Sequence, residues 1–544
     1  MSTDSYKDTI NKINNPSNDS NGDNEKMDLL CSALEQYSPG NNFNKLELEL
    51  QVSKIDYNQI DDAKNKKVGN PQYSRKINFN ANDIRNITKY ILNAGYTRSK
   101  SNTFLRINSN ERINSYDNNV QIRKSFRICI QEGGIPSFCK DNNSIYTGDN
   151  TNIHYENKFT EMKQTYNFTN YDNVRANLKK ENDITKLVKT GLKSPGQTTQ
   201  KEANFITNGK WQDIEKTFRY ISRVSFTDNR NIDKSCARID ISTIYQSNGK
   251  EWKGIDEKKD KPIYEVEIEA LNNYGCKKDN MKKSILFALK SVLCGVQDSC
   301  LPMKTAEIKK VNDAYSKIST DLADNIPWYN GPQPVTFQQE DMTIVCSPSR
   351  ILEGGAKKPD KKKDKKKDKD KKSSPETNTG SYNITNKADG TRKLLFIFDD
   401  NTFFVDKLKQ IQKTEIELKY VYNDEDNYNN TILDGELVTL RNGRMQYQVF
   451  DIYAYRNKSC LHMTFPKREK LFKEVVDFLQ ESVNISVICK EFQNVDRAGI
   501  EYIQGLNKFN SANVDSGFEN DGMILTPTGS VSGYNNTDKV YKWK

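Results

Sequence analysis

Histidine is nearly absent from this sequence: among 544 residues only His154 and His462 occur. We therefore expect neither a catalytic triad built on histidine nor a histidine-rich metal site. Chemistry must instead rest on carboxylates, lysines and arginines. That set of side chains suits phosphate groups and a hard cation such as Mg²⁺.

Long apolar runs and paired cysteines are also missing. No run of 18 apolar residues occurs, so we expect no membrane span, and the polar N-terminus lacks the apolar core of a signal peptide. The ten cysteines are scattered without a C-x-x-C pair. This pattern predicts reduced thiols in a cytosolic protein, with no disulfide and no zinc site.

The formal net charge of +10 is concentrated in one segment. Residues 357–372 hold eleven lysines and four aspartates, a net charge of +7, so the rest of the chain is nearly neutral. Any anion-binding site in the rest of the chain must therefore be formed by a local cluster of basic residues. We predict that residues 354–380 form a disordered, Lys/Asp-rich insertion. It acts either as a solubilising loop or as a non-specific tether for RNA.

The first half of the chain alternates polar and apolar residues with a period of two. The alternation predicts strands at Lys45–Val52, Arg123–Gln131, Asn173–Lys179, Thr217–Phe226, Ala237–Tyr245 and Ile263–Leu271. Charged residues of both signs recur inside these strands, which indicates a closed barrel with a charged lumen. The polar residues 1–40 predict a disordered arm.

Helical periodicity appears in the second half. Apolar residues predict a helix around Ile285–Leu293 that stops at Gly295, a second helix at Thr305–Leu322 and a third near Lys467–Glu481. A new unit opens at residues 325–337. We therefore place the first domain at residues 41–322 and the second at 323–544.

Glutamates alternate along two of the predicted strands, Glu47 with Glu49 and Glu265 with Glu267 and Glu269. Residues i and i+2 of a strand share a face, so these carboxylates gather and repel one another unless a cation joins them. An exposed amphipathic strand explains one such string more readily than two. The strands between them carry basic residues suited to a triphosphate, namely Arg127, Arg175, Lys179, Arg219, Arg223 and Arg238.

This pattern resembles the triphosphate tunnel metalloenzyme family, as in the RNA triphosphatases of large DNA viruses and fungi, over residues 43–275. The resemblance implies an antiparallel β-barrel that binds a triphosphate end-on with Mg²⁺ or Mn²⁺. The implied metal ligands are Glu47, Glu49, Glu267 and Glu269, supported by Glu265. The implied phosphate contacts are Arg127, Lys158, Arg175, Lys179, Arg223 and Arg238, and Asp240 would order a lumen base or water. Ser242 stands where some members carry a lysine.

Five motifs follow one another in the second half. They are KADGTR (Lys387–Arg392), TILDGELV (Thr431–Val438), YQVFDIYAY (Tyr447–Tyr455), NDGMILTP (Asn520–Pro527) and VYKWK (Val540–Lys544). A lysine amine can attack the α-phosphate of a nucleotide, provided that neighbouring cations meet the charge that develops there. Lys387 is the candidate nucleophile.

The motifs resemble the covalent nucleotidyltransferase superfamily, which includes mRNA guanylyltransferases and ATP-dependent polynucleotide ligases. The resemblance implies that Lys387 forms the lysyl-nucleotide. The implied nucleotide-binding residues are Arg392, Glu436, Phe450, Asp451, Asp521, Lys542 and Lys544, with Asp521 on the metal where the family usually has glutamate. The family continues into an OB domain beyond the fifth motif. We expect an α+β nucleotidyltransferase domain after the barrel and no OB domain in this chain.

The two domains together resemble the mRNA capping enzymes of large DNA viruses. The resemblance implies that 5′-triphosphate RNA and GTP are substrates and that the γ-phosphate is removed before GMP is transferred. It also implies no membrane, a place in the host cytoplasm and the virion, and a separate OB-fold or methyltransferase chain as a candidate partner. Two alternatives stay open: an ATP-dependent polynucleotide ligase with an accessory polyphosphatase domain, and a non-catalytic RNA-binding scaffold.

Overall fold

The chain forms two compact units, Met1–Thr305 and Ala306–Lys544. The computed structural model describes residues 3–14, 22–37, 44–54, 78–109, 113–117, 120–142, 151–160, 166–171, 173–186, 188–189, 210–228, 236–252, 254–255, 261–271, 276–322, 329–341, 382–419, 427–494, 517–529, 531 and 539–543. The Lys/Asp-rich insertion predicted at residues 354–380 lies outside these ranges. None of the helices within them is long and apolar enough to cross a membrane.

The first unit combines a large antiparallel sheet with helices on its outside. Its strands are β1 (Asn44–Val52), β2 (Tyr96–Ser109), β3 (Ile113–Asp117), β4 (Val120–Gln131), β5 (Ile153–Thr160), β6 (Tyr166–Asn167), β7 (Val174–Asp183), β8 (Lys216–Asp228), β9 (Ala237–Gly249) and β10 (Ile263–Ala270). Its helices are α1 (Thr3–Asn14), α2 (Asp23–Gln36), α3 (Ala81–Asn93), α4 (Ile135–Lys140), α5 (Lys210–Asp213) and α6 (Lys278–Gln297), with a 3-10 turn at Glu132–Gly134.

Eight of these strands close into a ring. The order β1–β10–β9–β8–β2–β4–β5–β7 returns to its start because β1 pairs with both β10 and β7. Along β1, Leu46, Leu48 and Leu50 are buried in a core shared with α2, α3 and α6. The residues between them, Glu47 and Glu49, line the lumen. The six strands predicted in this region, and the charged lumen, are confirmed.

Helices α3 and α6 pack at unusually short range. A Cβ atom at Gly295 of α6 would lie 2.4 Å from the Cα of Ile87 in α3, so only glycine permits this contact. The predicted helix stop at Gly295 is therefore wrong. Helix α6 runs on to Gln297 and is capped by Asp298 in the left-handed conformation, with φ of 49°.

The prediction of a disordered arm over residues 1–40 is wrong for the described part, which forms α1 and α2. The polar composition concealed an apolar stripe: Met27, Leu30 and Leu34 of α2 are buried against the barrel. A helix with such a stripe gains more from packing than its average polarity indicates.

Cys236 and Cys276 form a disulfide between the start of β9 and the segment before α6. The expectation of reduced thiols throughout is thus wrong for this pair. No local spacing signal marks it, because the two cysteines lie 40 residues apart in the sequence and meet only in the fold.

The second unit contains two main sheets. Its strands are β11 (Val335–Thr336), β12 (Tyr382–Ala388), β13 (Thr391–Phe398), β14 (Asn401–Val405), β15 (Ile411–Lys413), β16 (Glu417–Leu418), β17 (Thr431–Thr439), β18 (Met445–Tyr455), β19 (Lys458–Ser459), β20 (Leu479–Gln480), β21 (Ile485–Cys489), β22 (Gln493–Asn494), β23 (Asn520–Pro527) and β24 (Tyr541–Trp543). Helices α7 (Thr305–Leu322) and α8 (Phe465–Phe478) and a 3-10 turn at Gln339–Asp341 complete it.

One sheet has the order β11–β24–β23–β12–β22, and the other has the order β15–β14–β13–β17–β18–β19, with β21 beside β18. The KADGTR motif passes from the first sheet to the second, since Lys387 lies on β12 and Arg392 on β13. Functional groups of both sheets are thereby brought to one place.

The boundary between the units differs from the one placed at residues 322 and 323. Helix α7 packs on the second unit: the ring of Tyr315 meets that of Phe396 edge-on at 5.5 Å, and Lys413 Nζ lies 2.9 Å from Glu307 Oε1. Sequence periodicity identified this helix with its correct bounds but could not tell which core it would cover.

Candidate active sites

A cavity of about 200 Å³ occupies the lumen of the barrel. The described side chains that line it are Lys45, Glu47, Glu49, Gln51, Arg106, Arg127, Glu156, Lys179, Glu181, Arg219, Arg223, Arg238, Glu265, Glu267 and Glu269. Basic and acidic groups are equally numerous, which allows so many charges to be enclosed together. Such a lumen offers cations to a polyanion and carboxylates to a metal ion.

The carboxylates of Glu47, Glu49 and Glu181 form a close acidic group among the described residues of the lumen. One oxygen of each lies within 4.8 Å of the others, and all three could bind one divalent cation. Glu181 lies on β7 and was missed by the sequence reasoning. Its alternation with Lys179 on that strand was the signal that could have found it.

The glutamates of β10, implied as metal ligands, accept hydrogen bonds from basic residues, as Glu47 and Glu49 of β1 also do. Arg219 donates to Glu265 at 2.6 Å, and Arg223 donates to Glu267 at 3.1 Å. Glu269 accepts from Lys45 and Arg238. Burial raises the pKa of Glu269, and the negative charge of Glu47 raises it further.

Asp240 lies beneath the lumen with 1% of its surface exposed. It accepts hydrogen bonds from Arg223, Arg238 and Ser225 at 3.3, 2.9 and 2.7 Å. Its direct partners are thus two arginines and a hydroxyl. Ser242, at the position where some family members have lysine, accepts from Arg223 Nε at 3.1 Å.

Two of the implied phosphate contacts are not placed in the lumen lining. Arg175 pairs with Gln51 across β7 and β1 but does not line the cavity. Lys158 lies on β5, and its side chain is outside the described part of the structure. Arg127, Lys179, Arg223 and Arg238 do line the lumen. The sequence reasoning missed Lys45, Gln51, Arg106 and Glu156.

A second cavity, of about 280 Å³, is lined by residues of both sheets of the second unit. It gathers the predicted residues Lys387, Arg392, Glu436, Phe450, Asp451 and Lys542. Lys387 Nζ lies 2.8 Å from Asp521 Oδ2, so the predicted nucleophile and the predicted metal ligand meet directly. Lys544 lies outside the described residues.

Arg392 is fixed by groups from three segments. Its guanidinium donates to Asp434 Oδ1 at 3.0 Å, to the carbonyl of Pro332 at 2.8 Å and to the hydroxyl of Tyr453 at 3.3 Å. Asp434 is fully buried, and burial raises its pKa. The short segment before β11 thus helps to orient an arginine of the KADGTR motif.

Lys490 also lines this cavity, and the sequence reasoning missed it. It is 8% exposed, donates to the backbone carbonyl of Asn386 at 3.0 Å and lies 5.7 Å from the centre of the Phe450 ring. Burial lowers the pKa of Lys490 to about 8, against the opposing charge of Glu436. Lys490 lies in the sequence between two of the five motifs, so no motif spacing identified it.

Asp451 lines the cavity, yet its carboxylate is already engaged. Arg468 of α8, fully buried, donates to both Asp451 oxygens at 2.7 and 3.1 Å. Arg468 also donates to the carbonyls of Met463 and Gly529. Asp451 therefore anchors α8 beneath the cavity.

Comparison with known proteins gives consistent matches to parts of the chain. Residues 370–544 match the family model described as mRNA capping enzyme, catalytic domain. An mRNA-capping enzyme of Caenorhabditis elegans is 25% identical over 186 residues, which is 30% of this chain and 28% of that protein. The chain thus spans less than a third of that relative.

Two solved structures are similar to parts of the chain. The triphosphatase of the Mimivirus capping enzyme is 17% identical, with 50% of this chain and 98% of that chain covered and a TM-score of 0.28. The ligase domain of LigD from M. tuberculosis is 15% identical, with 28% of this chain and 48% of that chain covered and a TM-score of 0.20.

Proposed function

We propose that this chain, whose residues 370–544 match the model of the mRNA capping enzyme catalytic domain, caps the 5′ end of RNA in two steps. The barrel removes the γ-phosphate of a 5′-triphosphate RNA. The second unit then transfers GMP from GTP to the diphosphate end. A separate OB-fold or methyltransferase chain as partner, and a place in the host cytoplasm and virion, remain part of the proposal.

The lumen suits the first step because its arginines and lysines can surround a triphosphate. Water attacks the γ-phosphorus, the bond to the bridging oxygen breaks, and inorganic phosphate leaves. Mg²⁺ or Mn²⁺ at Glu47, Glu49 and Glu181 would neutralise charge on the phosphate oxygens. Asp240 keeps Arg223 and Arg238 pointed at the substrate.

The second step begins at Lys387. Its Nζ attacks the α-phosphorus of GTP, a phosphorus–nitrogen bond forms, and pyrophosphate leaves. Asp521 Oδ2, at 2.8 Å, is within reach to accept the proton that the amine must lose. The diphosphate end of the RNA then attacks the same phosphorus, which releases the lysine and completes the cap linkage.

The observation that carries the proposal is the convergence of Lys387, Arg392, Glu436 and Lys542 on one cavity. Lys490 favours GTP over ATP. A lysine only donates hydrogen bonds; guanine presents the acceptor O6 where adenine presents an amino donor. With Phe450 available for stacking, a guanine is recognised better than an adenine.

The test is incubation of the chain with α-labelled GTP or ATP and a divalent metal, followed by denaturing electrophoresis at alkaline pH. We expect an adduct with GTP that survives alkali and is released by acid, as a phosphorus–nitrogen bond is, and that Lys387→Ala abolishes. Lys458→Ala, an exposed lysine on β19, serves as the matched control and should retain the adduct. Labelling by ATP alone would identify a ligase, and labelling by neither nucleotide would support the scaffold.

A further inference from the structure

The ammonium group of Lys45 lies between two glutamates of adjacent strands. Its Nζ donates to Glu47 Oε1 of β1 at 2.6 Å and to Glu269 Oε1 of β10 at 3.2 Å. Both glutamates are buried. Enclosed carboxylates repel one another unless a cation separates them. Lys45 supplies that positive charge between the two strands, and Arg238 adds to it on Glu269.

The same place in the lumen is where a divalent cation would be held. Glu47 belongs to the close acidic group with Glu49 and Glu181. In the pairing of β1 with β7, Lys45 lies directly opposite Glu181. A divalent cation prefers carboxylate oxygens as ligands, and it repels an ammonium group bound to the same carboxylate. Lys45 and a metal ion therefore compete for Glu47.

Lys45 differs from Lys179, the lysine that contacts Glu49, in how easily its ammonium group can leave. The side chain of Lys45 is 61% exposed, whereas that of Lys179 is 20% exposed. A lysine ammonium on a flexible four-carbon stem is strongly hydrated in water. Because most of the Lys45 side chain already lies in water, its ammonium group can move out of the lumen and regain hydration there.

We infer that Lys45 is a built-in competitor of the divalent metal ion. Its ammonium group joins Glu47 and Glu269 when no metal is bound, and a metal ion must displace it to reach Glu47. The exchange replaces one set of ionic contacts by another and involves no covalent step. Lys45 is thus a positioning residue that stabilises the lumen without metal and weakens metal binding. This inference rests on the proposed triphosphatase step for the role of the metal, but the competition can be measured without any reaction.

The experiment compares the full chain with Lys45→Met, with Lys45→Gln and with the control Lys310→Met. Lys310 is 58% exposed and contacts a single carboxylate of the second unit, that of Asp399, at 2.8 Å. Binding of Mn²⁺ is measured from the electron paramagnetic resonance signal of the free ion, without phosphate or nucleotide. The share bound by the barrel is the part that Glu49→Gln removes. Thermal unfolding of each protein is followed with a chelator and with saturating Mn²⁺.

We expect both Lys45 variants to bind Mn²⁺ about tenfold more tightly than the unchanged chain, because the metal no longer has to break a hydrogen bond between charged groups. With the chelator, both variants should unfold at a lower temperature, since the repulsion between Glu47 and Glu269 is offset less. Saturating Mn²⁺ should remove most of this deficit. Lys310→Met should bind Mn²⁺ as the unchanged chain does. Lys45→Gln keeps the test decisive if Lys45→Met does not fold.

An affinity for Mn²⁺ that is unchanged or weaker in the Lys45 variants would overturn the inference. A lower unfolding temperature that persists in Mn²⁺, with unchanged affinity, would mark Lys45 as merely structural. Release of γ-phosphate from triphosphate RNA, measured on the same preparations, separates the inference from the proposed function. If the variants bind Mn²⁺ more tightly but no protein releases phosphate, the proposed triphosphatase fails and the competition stands. If phosphate is released and the affinity for Mn²⁺ does not change, the reverse holds.

Discussion

Gly331 is the residue whose lack of a side chain matters most to the second cavity. Its φ is +70°, and a Cβ there would lie 2.4 Å from the Tyr453 hydroxyl and 2.6 Å from Arg392 Nη2. Both atoms belong to the network that orients Arg392 through Asp434. Gly331→Ala should therefore displace Arg392 and slow formation of the GMP adduct by about tenfold or more, as when one charged hydrogen bond is lost.

The matched control for this change is Gly443→Ala. Gly443 also has a positive φ, of +82°, but a Cβ there would meet no atom within 4 Å. Both substitutions thus carry the strain of a left-handed backbone, and only the first disturbs the cavity. Equal adduct rates for the two variants, measured by rapid quench with labelled GTP, would show that the network does not orient Arg392.

Lys490 makes a prediction about pH. Burial lowers its pKa from an ordinary value of 10.5 to about 8, so between these values the unfolded chain binds a proton that the folded chain does not. The free energy of unfolding should therefore rise across this window, by about 3 kcal/mol at most. Lys490→Met removes the pH dependence that Lys490 causes. The free energy of unfolding of the variant, minus that of the unchanged chain, should therefore be greatest below pH 8 and should decline toward pH 10.5.

Urea unfolding of both proteins at pH 7 and pH 10 measures how far the difference between their free energies of unfolding changes with pH. The comparison between the two proteins removes the contribution of every other titrating group. An identical pH dependence in both would mean that Lys490 is not desolvated in the folded state.

At the scale of elements, α2 is tied to the barrel through its first residue. Asp23 accepts hydrogen bonds from Tyr166 Oη, from the backbone and side chain of Thr169 and from the backbone and side chain of Asn170. Burial raises the pKa of Asp23, but these hydrogen bonds outweigh it and hold the pKa below the ordinary 3.8. Asp23→Ala should lower the free energy of unfolding by about 2 kcal/mol.

Because the pKa is lowered in the folded state, this stabilisation is present above pH 4 or so and is lost as the pH falls through the folded value. Asp23→Asn, which keeps one acceptor oxygen and cannot titrate, is the control. Thermal unfolding between pH 3 and pH 7 should show a smaller pH dependence for both variants than for the unchanged chain. The same slope in all three would mean that Asp23 contributes nothing to it.

At the scale of the whole molecule, the two chemistries are proposed for separate units. Lys387→Ala should abolish the GMP adduct and leave γ-phosphate release intact. Glu49→Gln should reduce phosphate release by about 100-fold or more, because a metal ligand that neutralises phosphate charge is lost, and should leave the adduct intact. Both activities are measured on one preparation of each variant. Loss of both activities in either variant would contradict the separation.

Local pattern determined much of this protein. Period-two alternation identified six barrel strands and placed Glu47 and Glu49 on one face, because the pleat of a strand directs successive side chains to opposite sides. Helical periodicity located α7, with bounds that coincide with Thr305–Leu322. The order of the five motifs identified six residues that line the second cavity, since each motif carries its own side chains wherever the fold takes them.

Tertiary structure alone decided which charges meet. Glu181 joins Glu47 and Glu49 because β7 pairs with β1 across more than a hundred residues, and the register of that pairing is set by the whole ring. Lys490 reaches the second cavity because β21 aligns with β18. The local sequence determines which side chains lie on each face of a strand. Cross-strand partners depend on contacts between distant segments, and no local pattern encodes these.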